Sequence, residues 1–148
     1  MKIVLAIDGS KFSEAAIRTV IEQAHRQDTE IQVLHVVEPP SLLVAREMGG
    51  YDRNLDVVWE SETKQAEALV TKVADESRSK GLKVTPAVEQ GDPQSKIIDA
   101  AAKWHADLIV IGSHGRKGLE HFLLGSVSDA VVRHAGCSVE IVRIAPKH

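Results

Sequence analysis

The sequence predicts an α/β fold: a single doubly wound parallel sheet with helices on both faces. Two continuously apolar runs, Ile3–Ile7 and Leu108–Ile111, are typical of strands that are covered on both faces and lie at the centre of a sheet. Helical patterns separate the strand-like runs, and helices between parallel strands imply right-handed crossovers. Because no linker or internal repeat divides the 148 residues, we expect one domain over residues 1–148.

Two other runs predict the edges of the sheet. Pro86 lies inside an alternating apolar and polar run, and proline cannot donate a ladder hydrogen bond, so this strand is expected at an edge. The run Val139–Ile144 mixes apolar with charged positions and is stopped by Pro146, which predicts the other edge. The segment Ile31–Val37 supplies the remaining strand, with a pattern between these extremes.

Four segments carry the spacing or the caps of helices. Apolar residues recur every four positions over Phe12–Ala24, and a similar stripe covers Ala66–Ala74. Asp92–Pro93 places a capping side chain before a proline at the first helical position, so a third helix is expected from there towards Trp104. The fourth helix is predicted to carry the apolar positions of Val127–Ala135.

The composition excludes several classes of protein. Lys and Arg total 18 against 21 Asp and Glu, a formal charge of -3, so the chain lacks the basic character of most nucleic-acid-binding proteins. The single cysteine, Cys137, rules out an intrachain disulfide. No secretory leader and no run of about 18 apolar residues is present. We therefore expect a cytoplasmic protein with neither nucleic acid nor membrane as a partner.

A glycine-rich loop is the main functional signal. Gly112-Ser113-His114-Gly115-Arg116-Lys117-Gly118 follows a predicted central strand, and Gly125-Ser126 opens the next helix. Glycine lets the backbone approach a ligand closely, so successive N–H groups can converge on a phosphate. The hydroxyl of Ser126 and the positive end of the helix add to this anion site. Ligands of doubly wound sheets bind at the carboxyl ends of strands, so the loop predicts a nucleotide phosphate site.

Other readings of this loop exist. Glycine also serves ordinary β–α connections, in which case the loop is only a flexible turn. The common phosphate motifs do not match, because no G-x-G-x-x-G follows a strand. Lys117 stands between Arg116 and Gly118, so the Walker A order of Gly-Lys-Ser/Thr is also missing.

The carboxyl-terminal part of the chain carries the segment GSHGRKGL…LLGSVSDAVVRHAGCSVEIV, in which nine residues separate Gly112-x-x-Gly115 from Gly125-Ser126. This segment resembles the universal stress protein family in its ATP-binding branch. Ile3–Ser10 and His35–Glu38 resemble the family's first strand and the end of its second. The resemblance spans the whole chain, and Ser138 departs from it where many members have proline. It implies an adenine nucleotide alpha-hydrolase-like fold with strand order 3-2-1-4-5, and ATP, ADP or AMP with Mg²⁺ as the ligand.

The loop and the resemblance together assign thirteen candidate nucleotide-binding residues: Ala6, Asp8, Val36, Val37, Gly112, Ser113, His114, Gly115, Arg116, Gly125, Ser126, Val127 and Ser128. By resemblance, Asp8 approaches the ribose or a phosphate-bound Mg²⁺, although Asp8-Gly9-Ser10 is also a good turn and helix cap. Backbone groups of Val36 or Val37 are implied to pair with the adenine edge. Arg116 and Lys117 either add charge to the phosphates or are solvated loop residues.

No catalytic constellation accompanies this site. Ser13, Ser126 and Ser128 are not set in a nucleophile elbow, and His114 and His121 lack zinc spacing. Cys137 is read as a small buried apolar residue. The sequence therefore favours an ATP-binding regulatory module, with a slow ATPase and a nucleotide-independent interaction module as alternatives.

Two segments predict contacts beyond the nucleotide. Residues Glu38–Asp56 form the longest irregular stretch, and long loops of this kind are usually functional, so we expect a lid or a partner-contact loop. The edge strand over Val139–Ile144 leaves backbone groups unpaired, which invites a second copy about a two-fold axis. The resemblance also implies such a homodimer.

Overall fold

The computed structural model describes residues 1–24, 28–39, 53–116 and 124–144. Within these ranges strands and helices alternate along the chain. Their bounds are β1 (Lys2–Ala6), α1 (Lys11–Gln23), β2 (Glu30–Val37), α2 (Arg53–Arg78), β3 (Lys83–Gln90), α3 (Pro93–Trp104), β4 (Leu108–Gly112), α4 (Ser126–His134) and β5 (Ser138–Val142).

The described strands form one parallel sheet in the order β3-β2-β1-β4-β5, which confirms the expected topology. β1 pairs with β2 on one side and with β4 on the other. The strand that contains Pro86 lies at one edge and the last strand at the other, as predicted. Proline is tolerated at this position because the outer side of an edge strand needs no ladder hydrogen bond.

Helices cover both faces of the sheet, and each face has its own core. On the first face α1 and α2 bury Ala16, Val20 and Val70 against the sheet. On the second face α3 and α4 bury Ile97 and Val131. The central strands are sealed by both layers, since Val4, Ile109 and Val110 have no exposed surface. The continuous apolar runs of the sequence follow from this double burial.

Local signals of the sequence set the starts and ends of the helices. The side chain of Asp92 accepts a hydrogen bond from Ser95 N at 3.1 Å, with Pro93 as the first residue of α3, as predicted. Ser10 caps α1 in the same way, with Oγ 3.2 Å from Ser13 N. Gly81 follows α2 with φ of +87°, a conformation that residues with a side chain rarely adopt.

Three predicted boundaries were wrong. β1 ends at Ala6 rather than Ile7, because the Ile7 carbonyl bonds the side chain of His35 and regular pairing stops there. β5 ends at Val142 rather than Ile144, because its partner β4 stops at the opposite residue and pairing cannot continue. α2 begins at Arg53, so the last residues of the predicted irregular stretch are helical, with Asp56 favourable in the first turn. Residues 40–52 and Pro146 lie outside the described residues.

No described helix is both long and apolar enough to cross a membrane.

Gly112 is required by the packing of α1 on the end of β4. A Cβ at this position would lie 2.7 Å from the backbone carbon of Phe12 and 2.8 Å from its carbonyl oxygen. Backbone atoms in the first turn of a helix cannot move aside easily, so the approach excludes any side chain.

We expect Gly112→Ala to lower the free energy of unfolding by about 2 kcal/mol or more, because the added methyl group overpacks the β4–α1 contact. Gly136→Ala is the matched control, since a Cβ there meets no atom within 4 Å. Urea unfolding of the two variants measures the difference. Equal stabilities of the two variants would contradict this reading of Gly112.

Candidate functional site

The candidate site lies between the carboxyl ends of β1 and β4, the neighbouring central strands. The chain passes from β1 into α1, which packs on the first face of the sheet. After β4 it reaches α4, which packs on the opposite face. Connections that diverge to opposite faces in this way leave a crevice at the carboxyl edge of the sheet. Such a point of reversal is where doubly wound sheets bind ligands.

Asp8 joins the two loops that border the crevice. Its Oδ2 accepts a hydrogen bond from Arg116 N at 2.9 Å, and the guanidinium Nε of Arg116 donates to the Asp8 carbonyl oxygen. Its Oδ1 accepts from Ser10 N at 2.9 Å, which is the turn geometry expected for Asp8-Gly9-Ser10. Asp8 therefore organises its own turn and also holds the glycine loop across the crevice.

Gly115 and Gly125 allow this loop to pack closely. A Cβ on Gly115 would lie 3.0 Å from Asp8 Oδ2, the oxygen that binds the loop. A Cβ on Gly125 would lie 3.1 Å from the Cα of His114. Gly125 N also donates to Ser113 O at 2.8 Å, which closes the loop on itself. The absence of side chains at these glycines thus serves the compactness of the loop.

Ser113 and Ser128 are buried and use their polar groups inside the loop. Ser128 Oγ is 2.8 Å from Ser113 O and 3.1 Å from Gly125 O. Ser113 N donates to Val142 O at 2.9 Å, and Ser113 Oγ lies 3.0 Å from His114 Nδ1. Both serines therefore support the loop, and their contact with a ligand stays a prediction.

His114 attaches the loop to α1. Its ring packs against the ring of Phe12, with centroids 5.1 Å apart and planes inclined by 48°. The half-buried imidazole thus adds an apolar contact to the hydrogen bonds that hold the loop.

The amino-terminal end of α4 lies beside the loop. Its N-cap is Gly125, which offers no side-chain hydrogen bond to the first turn. The first N–H groups of a helix have no intrahelical acceptor, so those of Ser126, Val127 and Ser128 need another partner. Ser126 is exposed and Val127 is half-buried on the α3/α4 face.

Ala6, Val36 and Val37 lie at the other side of the crevice. Ala6 and Val37 are buried, and Val36 packs with Ala6 in the core of the second face. β2 is longer than β1 at this end, since their register stops at Ala6 opposite Leu34. Lys117, Gly118 and His121 of the sequence analysis lie outside the described residues.

His35 also lies beside this site, although no feature of the sequence predicted a role for it. The side chain is 8% exposed, and Nδ1 lies 2.9 Å from the carbonyl oxygen of Ile7. A carbonyl only accepts, so Nδ1 carries a proton in this contact. The sequence feature that could have pointed to His35 is a histidine near the carboxyl end of a buried strand, beside the expected ligand.

Burial lowers the pKa of His35 below its usual value of 6.5. The hydrogen bond to the Ile7 carbonyl opposes the effect of burial and raises the pKa, whereas the positive charge of Arg116 adds to the effect of burial and lowers it. The carboxylates of Asp8 and Glu62 raise it. Desolvation is the largest effect, which keeps the imidazole neutral at neutral pH.

In the described ranges no group of three or more His, Cys, Asp or Glu side chains is arranged to hold a metal ion. Asp8 supplies one carboxylate at the crevice, and a Mg²⁺ ion bound there would take phosphate and water oxygens as further ligands. Cys137 is half-buried rather than buried, and desolvation followed by the charge of Asp107 raises its pKa, which keeps the thiol protonated.

The sheet order and the loop at its switch point define the class: an α/β protein of the adenine nucleotide alpha-hydrolase-like fold. The model of the universal stress protein family matches residues 1–143. The chain therefore belongs to the universal stress protein family.

Similar proteins span nearly the whole chain. The universal stress protein MJ0531 of Methanocaldococcus jannaschii is 34% identical over 142 residues, which cover 96% of this chain and 81% of the relative. The solved structure of hypothetical protein MJ0577 has a TM-score of 0.84 at 25% identity and covers 99% of this chain and 97% of its own. A family protein from Arabidopsis thaliana, solved with AMP bound, has a TM-score of 0.66 at 21% identity and covers 98% and 92%. The last comparison shows a shared fold.

The lowered pKa of His35 predicts a pH dependence of stability. Above about pH 6.5 the ring is neutral in both the folded and the unfolded chain, so it adds no pH dependence there. Below this pH the unfolded chain takes up a proton that the folded chain resists. As the pH falls, the free energy of unfolding therefore decreases until the pKa of His35 in the folded chain is reached. The loss is about 1.4 kcal/mol for each unit by which folding lowers that pKa.

Urea unfolding at about pH 7.5 and about pH 5 measures this loss. In His35→Asn the part of the loss that His35 causes should be absent, while all other groups contribute as before. Identical losses in the wild type and in His35→Asn would refute the assignment.

Proposed function

We propose that this protein binds ATP or a related adenine nucleotide, with Mg²⁺, in the crevice between β1 and β4 and acts as a nucleotide-dependent regulatory module. The observation that carries the proposal is the glycine loop, folded onto Asp8 at the reversal point of the sheet beside the start of α4. Membership of the family supports it. The AMP-bound Arabidopsis structure indicates that this fold can hold an adenine nucleotide.

The phosphates are proposed to bind at the start of α4. The N–H groups of Ser126, Val127 and Ser128 need an acceptor, and the helix dipole adds about 0.3–1 kcal/mol for an anion there. Gly125 N is already bonded to Ser113 O, so its part is to keep the loop narrow. The exposed guanidinium of Arg116 can turn from the Asp8 carbonyl to a phosphate, in a charge-assisted hydrogen bond.

The adenine is proposed to pair with the backbone of Val36. Successive residues of a strand point their backbone groups to opposite sides. Leu34 O accepts from Ile7 on the β1 side, whereas Val37 O accepts from Gly91 on the β3 side. Val36 therefore directs its N–H and C=O towards β1, just past the end of that strand. This favours Val36 over Val37 for reading the edge of the base.

Asp8 retains capacity for a ligand. An ionised carboxylate offers about four lone-pair sites, and one N–H hydrogen bond to each oxygen uses only two of them. The remaining sites suit a ribose hydroxyl or a phosphate-bound Mg²⁺. The turn role and the ligand role of Asp8 are thus compatible.

Nucleotide occupancy would regulate by stabilising the conformation that binds. A ligand at 100 times its Kd stabilises that conformation by about 2.7 kcal/mol. The single cysteine agrees with the reducing cytoplasm as the proposed setting.

Gly115→Val tests the phosphate site. The branched side chain begins 3.0 Å from Asp8 Oδ2 and must push the loop away from it, so we expect calorimetric titration with Mg-ATP to show at least about a tenfold loss of affinity. Gly136→Val is the matched control, because that position is open. Undiminished binding by Gly115→Val would exclude the loop as the site, and a wild type that ignores millimolar ATP, ADP and AMP would exclude the proposed function.

The outer edge of β5 is proposed to form a homodimer. Within the described chain β5 pairs only with β4, so its other side presents free ladder groups. Val132 on α4 and Ile144 just after β5 are exposed, and Oε2 of Glu140 is buried without a hydrogen-bond partner among the described residues. A second copy about a two-fold axis would pair the strands and cover the apolar side chains.

Light scattering at micromolar concentration should give twice the mass of one chain. The double variant Val132→Asp, Ile144→Asp should shift the protein towards the monomer, because each interface would bury two carboxylates from each copy. A monomeric wild type would overturn the dimer.

A further inference from the structure

The end of β1 carries an irregular feature in its pairing with β2. Ile7 N donates to Leu34 O at 2.9 Å, which is a regular parallel ladder bond. The next bond of such a ladder would run from Val36 N to Ile7 O. Among the described residues that bond is absent from the backbone pairing, and the imidazole Nδ1 of His35 takes the Ile7 carbonyl instead, at 2.9 Å. A side chain has replaced one rung of the ladder.

This contact involves residues on both sides of the crevice. His35 lies on the face of β2 that carries Ile31 and Val33, which is the face covered by α1 and α2, so its ring meets the Ile7 carbonyl from that face. The carbonyl belongs to the peptide that joins Ile7 to Asp8. Asp8 is the residue whose carboxylate holds Arg116 N, and Val36 is the residue whose N–H is left without the Ile7 carbonyl.

We propose that His35 is the positioning residue of this site: its Nδ1–H holds the Ile7 carbonyl out of the ladder, which places Asp8 against the glycine loop and leaves Val36 N–H open to the ligand. The placement of Asp8 concerns the protein without nucleotide. The access of a ligand to Val36 N–H rests on the proposed function.

The burial of His35 supports a constrained role. At 8% exposure the ring cannot swing into solvent, and a buried carbonyl that lost its donor would carry an unsatisfied acceptor. The charged groups that act on the pKa of the ring are Arg116 from the loop after β4, Asp8 from the loop after β1 and Glu62 from α2. The imidazole therefore lies within electrostatic range of three separate elements.

Two substitutions separate the hydrogen bond from the bulk of the ring. His35→Asn keeps an N–H donor on Cγ, where Nδ1 stands, whereas His35→Leu removes the donor and keeps an apolar side chain of similar reach. Val33→Ala is the control for stability alone, because it opens a cavity on the same face of β2 without touching Ile7. Asp8→Ala is the reference for complete loss of the bond to Arg116.

The first measurement is hydrogen exchange of the Arg116 amide by NMR, without nucleotide. We expect exchange in His35→Leu to be at least about fivefold faster than in the wild type, approaching Asp8→Ala, because the acceptor of this amide has moved. Exchange in His35→Asn and Val33→Ala should stay within about twofold. If His35→Leu leaves the amide unchanged, or if Val33→Ala accelerates it equally, His35 is only a core residue and the proposal fails.

The second measurement is the affinity for Mg-ATP. His35→Leu should bind at least about tenfold more weakly, while His35→Asn should stay within about threefold of the wild type. An Asn variant as weak as the Leu variant would overturn the proposal. If the wild type binds no nucleotide, the proposed function fails, but the exchange experiment still decides whether His35 positions Asp8.

Discussion

The burial of β1 and β4 between two helical layers is the constraint on which the rest of this structure depends. Because both faces of these strands are covered, the chain must leave the sheet where each strand ends. It turns towards α1 after β1 and towards α4 after β4. The crevice between them is therefore a product of packing. Any polar group that enters it needs a partner, since the surrounding core offers none. The polar groups of the two loops therefore form hydrogen bonds with each other.

The result is a pair of loops that are held together without a ligand. Asp8 binds the amide of Arg116, Ser128 binds the carbonyl of Ser113, and Gly125 closes the loop through its own N–H. A ligand that enters a preformed site loses less free energy to ordering than one that must fold a loop around itself. In the proposed function Arg116 would give up its bond to the Asp8 carbonyl in order to reach a phosphate.

The three glycines of the motif show how one spacing can combine different physical requirements. Gly112 is needed for the approach of the α1 backbone, Gly115 for the approach of Asp8, and Gly125 for the turn over His114. All three requirements are steric. The glycine motif of this chain is therefore a packing motif, whatever ligand it binds.

The sequence alone determined the α/β class, the central and edge strands, the starts of α1, α3 and α4, and the position of the glycine loop, because these depend on periodicity, caps and proline, which act over a few residues. Tertiary structure decided where β1 and β5 end, that Ser113 and Ser128 support the loop, and that His35 enters the site. These features depend on which atoms meet across strands and loops far apart in the chain. A histidine in an apolar strand looks the same in sequence whether it faces a carbonyl or a methyl group, and only the folded chain places Ile7 O beside this one.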